Sequence, residues 1–341
     1  MVSLLAMRAS NARLAAALPP GLVAVFAGAT NGIGETSMKQ FARHTRKPRV
    51  YFIGRSQEAG DRIAAECKAL NAEGKFVFIK ADVSLIRTVD DVCRDIKSKE
   101  ETINLLFLTQ GTLMPGIETS EGLHYAAALP VHSRTRFIVN LLPLLERATD
   151  LRRVVSVFTA TKEGAINMTD FQGWKLPLMQ QRSHASSIVT LSLESLAKKA
   201  PTVSFIHHFP GPVKTGIARG TTGPVFAVLK AVSAVIGPFI YIPIVETGER
   251  HLFVATSARY PPGTVADKDA AAGVALEDGV AVARGTNGQV GSGVYSTDAM
   301  GESADEKVVQ LLAGLRTDGL VEKVWDQIEG EFKRITGSVA I

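Results

Sequence analysis

Residues 22–34 read Leu-Val-Ala-Val-Phe-Ala-Gly-Ala-Thr-Asn-Gly-Ile-Gly, an apolar run ending in Gly28, Gly32 and Gly34 at GxxxGxG spacing. Leu22, Val23, Val25 and Phe26 fit a strand buried on both faces, and from Glu35 onward the sequence reads as helix. Strand, glycine turn and helix in this order make a phosphate-binding turn. The glycines let the backbone turn sharply and approach a pyrophosphate, whose charge then rests on the helix N-terminus. Without a ligand the same residues would be a tight strand-to-helix turn; the flanking order favours the nucleotide site.

Outward from this unit, strand and helix signals alternate. Val50–Ile53, Phe76–Ile79, Leu105–Leu108, Val154–Phe158 and Val203–His207 read as strands. Between them, Glu58–Leu70 presents Ile63, Ala64, Cys67 and Leu70 on one face, and Ser84 is placed to cap a helix running to about Lys99. A long helix ends near Leu145, and another spans Ser186–Lys199. The rhythm predicts an α/β fold, a doubly wound parallel sheet of order 3-2-1-4-5-6 that binds its ligand at the carboxyl ends of the strands.

Residues 1–20 read as an arm packing on the domain at 21–260, and Glu246–Thr256 as a late helix of that domain. Within 261–293, Pro261, Pro262 and seven glycines predict a long surface excursion. Gly293–Tyr295 fits a last strand, and Asp305–Ile335 a helical extension interrupted near Gly314 and Gly319. Residues 261–341 are expected to pack on the same domain.

With 341 residues and 46% hydrophobic ones, the chain can bury a full core, which excludes a disordered protein. The net charge of +5 is spread out, apart from Arg43, His44, Arg46, Lys47 and Arg49 at a helix end. A helix C-terminus accounts for that cluster, so no nucleic-acid partner is expected. Cys67 and Cys93 both fall in helices and read as free thiols of a reducing, cytoplasmic compartment. No metal is expected: His207 and His208 are neighbours on a strand and point to opposite faces. The apolar stretch 224–245 has about the length of a membrane span, but Lys230, Pro238 and Pro243 argue for a buried or lid-forming helix pair. Peripheral contact with a membrane surface is the alternative for 224–245.

The glycine turn resembles that of the short-chain dehydrogenase/reductase family, usually TGxxxGIG, with Ala27 where the family has Thr. The resemblance covers roughly residues 20–260 and implies a Rossmann fold. It also implies that Gly28, Thr30, Asn31, Gly32, Ile33 and Gly34 hold a nicotinamide dinucleotide. Arg55, after the second strand, stands where the family reads the adenosine ribose. Arginine offers a fork for a 2′-phosphate, which points to NADP(H), unless Arg55 is simply solvated. Asp82, in Ala81-Asp82-Val83, matches the residue that accepts from the adenine amino group, or else caps the next helix. Thr109-Gln110-Gly111 sits where the family has NNAG and keeps only Gly111. Pro210-Gly211-Pro212-Val213-Lys214-Thr215 resembles PGxVxT, the loop under the nicotinamide, so Pro210, Gly211, Val213 and Thr215 join the cofactor set. The loop at 212–245 is then the substrate-binding loop, larger and more apolar than usual, which points to a bulky apolar small molecule.

The family's Asn-Ser-Tyr-Lys tetrad is not kept. Pro130 falls at the Asn position and Thr159 at the Ser, with Ser156 on the strand itself as a structural residue. No tyrosine lies between Tyr125 and Tyr241. The Tyr position falls within 177–182 and the Lys four residues later, depending on a small gap, and neither residue type occurs there. His184 is the titratable replacement near neutral pH, and Arg182 carries a charge that could stand near the ribose. The expectation is an NADP(H)-dependent oxidoreductase with a nonstandard centre of Thr159 and His184, acting on an activated carbonyl, enone or iminium compound. The overall character of the chain resembles divergent fungal members of the family found with secondary-metabolite pathways. Two alternatives are a non-redox isomerase or cyclase, and an inactive cofactor-binding protein.

Overall fold

The computed structural model describes residues 1–114, 116–217, 237, 239–263 and 272–341. At its centre, Val23–Ala27 (β1) is buried at every position, as an apolar run without alternation requires. Arg49–Gly54 (β2) and Leu105–Leu108 (β4) pair with it on either side. Lys75–Lys80 (β3), Arg153–Val157 (β5), Ser204–His208 (β6) and Val294–Thr297 (β7) complete a parallel sheet of order β3-β2-β1-β4-β5-β6-β7. The expected order is thus present, with β7 added beyond β6.

One face of the sheet is covered by Gly32–His44 (α3), Gln57–Leu70 (α4) and Ile244–Thr256 (α9). Their Met38, Phe41, Ile63, Leu252 and Phe253 pack with Phe26 and Phe107 of the strands. The other face carries Ile86–Lys97 (α5), Arg134–Glu146 (α7), Leu178–Lys199 (α8), Glu306–Thr317 (α10) and Leu320–Thr336 (α11), joined through residues such as Val89, Phe137, Leu141, Ile188, Leu312 and Phe332. Cys67 and Cys93 are buried free thiols in these two layers.

The structure departs from the sequence expectations in several places, each with a local cause. The N-terminal arm folds as two helices, Leu4–Ala12 (α1) and Leu14–Ala17 (α2). Ser3 caps α1, and Asn11 donates to the backbone and carboxylate of Glu249 on α9. Ser84 does not cap α5: the carboxylate of Glu121 accepts from the Ile86 and Arg87 amides instead. Asp82 does not cap it either, its Oδ1 accepting from the Ser84 amide and hydroxyl. The helix beginning at Tyr125–Ala127 (α6) passes through a π-helical segment, Ala128–Ser133, before α7. Pro130, which has no N–H to give, lies within it. Helix α8 starts at Leu178, eight residues before the expected Ser186. Gly314 lies inside α10, and the break falls at Gly319, whose φ is +68°.

The glycine-rich excursion covers the β7 edge closely. A Cβ on Gly285 would lie 2.6 Å from the Val294 carbonyl oxygen, and the Thr286 amide donates to that same carbonyl. This contact satisfies backbone groups that an open edge would expose. Most of the 224–245 stretch lies outside the described residues; among those described, Phe239, Ile240, Ile244 and Val245 are exposed. No helix among the described residues is long and apolar enough to cross a membrane.

Candidate active site

The glycine turn is locked onto the end of β4. Gly28 has φ +82°, and a Cβ there would sit 2.7 Å from the Gln110 amide nitrogen. A Cβ on Gly34 would lie 2.6 Å from Thr109 Oγ1, which itself donates to the carbonyls of Ala27 (3.0 Å) and Gly28 (3.1 Å). Larger residues would therefore push the turn off the strand. Helix α3 starts at Gly32, and the Asn31 side chain does not cap it. Asn31 Oδ1 accepts from the Gly216 amide instead, at 3.2 Å. The first-turn amides of α3, Ile33 among them, are thus left without the usual side-chain acceptor, which fits an anionic group resting there.

The other residues expected to meet a cofactor follow the ends of neighbouring strands. Thr30 packs on Gly54, where a Cβ would come within 2.3 Å of its methyl carbon. The exposed Arg55 follows, its Nη1 donating to the Tyr125 hydroxyl at 3.0 Å. No carboxylate pairs with Arg55 among the described residues. Asp82 is exposed after β3, and Gly111 follows the end of β4. Beyond β6, Gly211 has φ +74° and is packed against Ile242 and Ala299. Pro210 and Val213 are half-buried in this loop. Its Thr215 methyl lies 3.0 Å from the point where a Cβ of Gly32 would stand, so the loop leans on the glycine turn. These residues all follow the carboxyl ends of the strands, where a doubly wound sheet binds its ligands.

Thr159 follows β5 by two residues and is buried. Its hydroxyl donates to the Arg182 carbonyl at 3.4 Å, and the Ser186 hydroxyl donates to the Thr159 carbonyl at 2.7 Å. Arg182 and Ser186 are four residues apart on α8 and share the face turned to Thr159. The Arg182 guanidinium lies over the Phe209 ring, 5.3 Å from its centroid, and burial lowers its pKa. No ion pair forms with it among the described residues.

His184 is not part of this group. Two residues from both Arg182 and Ser186, it points to the other side of the helix. Its Nδ1 accepts from the Asn167 amide at 3.2 Å, and its Nε2–H donates to the Phe171 carbonyl at 2.9 Å. With both nitrogens engaged and burial lowering its pKa, it anchors the 167–171 segment. The structure brings Thr159 together with Arg182 and Ser186, and separates His184 from it.

Two groups beside the centre escaped the sequence reading. Arg134 is buried with no carboxylate partner among the described residues. It donates to the Gln110 carbonyl (2.6 Å), the Ser156 hydroxyl (2.9 Å) and the Val157 carbonyl (2.9 Å), joining the ends of β4 and β5. Burial pushes its pKa down. Nothing in the sequence marked it: it opens a helix that carries a second arginine, Arg136, two residues on. Glu163 is buried too, accepting from Thr190 (2.8 Å) and Ser296 (2.7 Å) beside His207. Burial raises its pKa, but these bonds and His207 outweigh that and lower it overall. His208 lies on the other face, against Thr297 and His251, so the two adjacent histidines do point apart. No group of three metal-ligating side chains occurs among the described residues.

Residues 22–128 match the sequence profile described as short chain dehydrogenase. The chain is 40% identical to oxidoreductase AN1596 of Emericella nidulans, covering 96% of this chain and 97% of that one. It is 33% identical to oxidoreductase andH of Emericella variicolor, over 93% of each chain. It is 29% identical to the short-chain dehydrogenase/reductase SAT2 of Stachybotrys chartarum, covering 96% of this chain and 95% of that one. Among solved structures, the KRED1-Pglu enzyme shares its fold with a TM-score of 0.53 and 17% identity, covering 69% of this chain and 94% of that one.

Proposed function

The chain belongs to the short-chain dehydrogenase/reductase family, and we propose that it is an NADP(H)-dependent oxidoreductase with a nonstandard centre built on Thr159. Its substrate is a bulky apolar small molecule with an activated carbonyl. Relatives that carry the name oxidoreductase support a redox role, and their fungal sources support a place in secondary metabolism. The observation that carries the reading is that the glycine turn, the Thr215 loop leaning on it and Thr159 all follow the carboxyl ends of strands in one parallel sheet.

A bound nicotinamide dinucleotide supplies the hydride. Its pyrophosphate would be held by Gly28, Gly32, Gly34 and the α3 N-terminus, with Thr30, Asn31 and Ile33 shaping the turn. Asp82 and Gly111 would flank the adenosine, and Arg55 would meet a 2′-phosphate. Pro210, Gly211, Val213 and Thr215 would close over the nicotinamide. The Thr159 hydroxyl, which donates weakly to the Arg182 carbonyl in this structure, can turn to a substrate oxygen at little cost. The exposed Phe239 and Ile240 would be the part to touch a membrane surface.

The test is a titration of the purified protein with NADPH and NADH, followed by a screen of activated carbonyls with cofactor oxidation measured. NADPH consumed in step with substrate supports the reading. Turnover indifferent to the redox state of the cofactor would favour an isomerase or cyclase. Cofactor binding without any turnover would favour an inactive binding protein.

A further inference from the structure

We propose that Arg182 is the electrophilic partner of Thr159, its guanidinium stabilising a substrate oxygen that becomes anionic as hydride arrives. The substrate is then a ketone or enone and not an iminium ion. This inference rests on the redox reading above and assigns the substrate class of that same centre.

The geometry comes first. The Thr159 hydroxyl donates to the main-chain carbonyl of Arg182 and its own carbonyl accepts from Ser186, the pair of α8 residues spaced four apart on the face turned towards it. The Ser186 hydroxyl is spent on the Thr159 carbonyl, and His184 faces the other way with both nitrogens bonded. The guanidinium of Arg182 remains. It is half-buried, lies over Phe209 immediately before Pro210-Gly211, and makes no side-chain hydrogen bond or ion pair among the described residues. Aromatic contact below the guanidinium fixes its plane without consuming its donors. A cation partly removed from water and left with unused donors is suited to receiving an anionic oxygen.

The chemistry follows from what arginine cannot do. It has no acceptor and does not release its proton in proteins, so it stabilises charge without transferring hydrogen. Hydride adds to the carbonyl carbon of a ketone, or to the β-carbon of an enone, and the π pair moves onto oxygen. The cofactor is oxidised and the substrate reduced by two electrons. Arg182 and the Thr159 hydroxyl hold the resulting alkoxide or enolate until water protonates it, on oxygen or on the α-carbon. An iminium ion starts cationic and loses its charge on reduction, so Arg182 would oppose its binding and contribute nothing to its transition state.

The test compares the native protein with Arg182→Met and Arg182→Lys. Phenanthrenequinone, cyclohexenone and a dihydroisoquinolinium ion serve as substrates. Arg182→Met is expected to lower kcat for the carbonyl probes by about 10²–10³-fold, the usual loss for one oxyanion donor, with NADPH affinity unchanged. Arg182→Lys should recover part of the loss. In the native protein kcat should stay flat between about pH 6 and 9, because neither group titrates there. A retained kcat in Arg182→Met, a loss confined to NADPH affinity, or faster reduction of the iminium probe would each overturn the assignment.

A second measurement needs no turnover. Naphthoate and its methyl ester are titrated against the protein by tryptophan fluorescence. The native protein should prefer the carboxylate by about tenfold or more, and Arg182→Met should abolish the preference. If no probe is reduced but the Arg182-dependent preference survives, the redox reading fails and the cation site stands. If carbonyls are reduced and Arg182→Met changes neither readout, the redox reading stands and the Arg182 assignment fails.

Discussion

Replacing Arg55 should change which nicotinamide cofactor the protein prefers, by an amount that its surroundings set. Arg55 follows β2, is exposed, and has Nη1 tethered to the Tyr125 hydroxyl. A charge-assisted hydrogen bond contributes about 1.5–3 kcal/mol when well shielded. Exposed ion pairs contribute only about 0–1 kcal/mol. The tether reduces the entropy lost on ordering the side chain, so a value of about 1–2 kcal/mol is reasonable for a 2′-phosphate here. That corresponds to a preference for NADPH over NADH of about 5–30-fold. Arg55→Ala should bring the two dissociation constants together. Arg55→Asp should reverse their order, since its carboxylate repels the phosphate and accepts from free ribose hydroxyls. Tyr125→Phe should cost less than about threefold, because the tether is lost but the charge remains. Calorimetric titration with both cofactors measures the ratio, and the ratio should shrink as salt is raised. Equal affinities in the native protein, or an unchanged ratio in Arg55→Ala, would refute the reasoning.

Thr159→Ala should lower carbonyl turnover by more than about tenfold while Thr159→Ser keeps most of it, because either hydroxyl can donate to a carbonyl oxygen; steady-state kinetics with NADPH decides this. His184→Ala removes two partners of buried backbone groups and should destabilise the fold by about 2–3 kcal/mol in urea unfolding. A fall in kcat without loss of stability would instead make His184 a proton carrier. Stability should also fall on acidification. Burial holds His132 and His251 down to about 4, so the unfolded chain binds more protons than the native one between there and the ordinary histidine value near 6.5. Stability is therefore complete above about pH 6.5 and is lost as pH drops, by about 1.4 kcal/mol per pH unit for each of these histidines. Thermal unfolding across that range measures the slope, and a flat profile would show that both histidines stay solvated.

The parts of the fold legible in the sequence are those where one local pattern has one outcome. An apolar run such as Val23–Ala27 can only lie inside, and alternation of such runs with helices leaves few topologies. In the candidate site, the backbone was legible where its geometry demands a residue type, as at Gly28 and Gly211. Legibility ends where the partner is distant or the pattern is absent. The amides at the start of α5 are satisfied by Glu121, thirty-five residues away from Ile86. Residues from His184 to Leu196 of α8 are buried on every side, so no apolar stripe marked where that helix begins. Arg134 went unmarked, because nothing nearby in the sequence shows that the ends of two strands would enclose it.

Arg134, which the sequence did not reveal, and Arg182 bear on how the proposed centre would be organised for reduction without Tyr and Lys. Arg134 lies behind the ends of β4 and β5, and Arg182 lies over Phe209 beside them. The buried carboxylate nearby, Glu163, is already committed to Thr190, Ser296 and the neighbouring His207. Two guanidinium groups without a carboxylate partner among the described residues thus stand near the ends of β4, β5 and β6. Their field favours an anionic dinucleotide and an oxygen gaining charge, and it opposes a cationic substrate. A tyrosine and lysine pair would do the first of these while also delivering a proton. On the proposed reading, Arg182 and Ser186 keep a four-residue spacing on one helix face, with a permanent cation and a hydroxyl tied to the backbone in place of a titratable pair. A centre of this kind should depend on the intrinsic reactivity of its substrate more than one with a built-in acid. Fast reduction of phenanthrenequinone beside very slow reduction of a simple dialkyl ketone is the selectivity expected of it. Comparable rates for the two would mean that a proton donor is present after all.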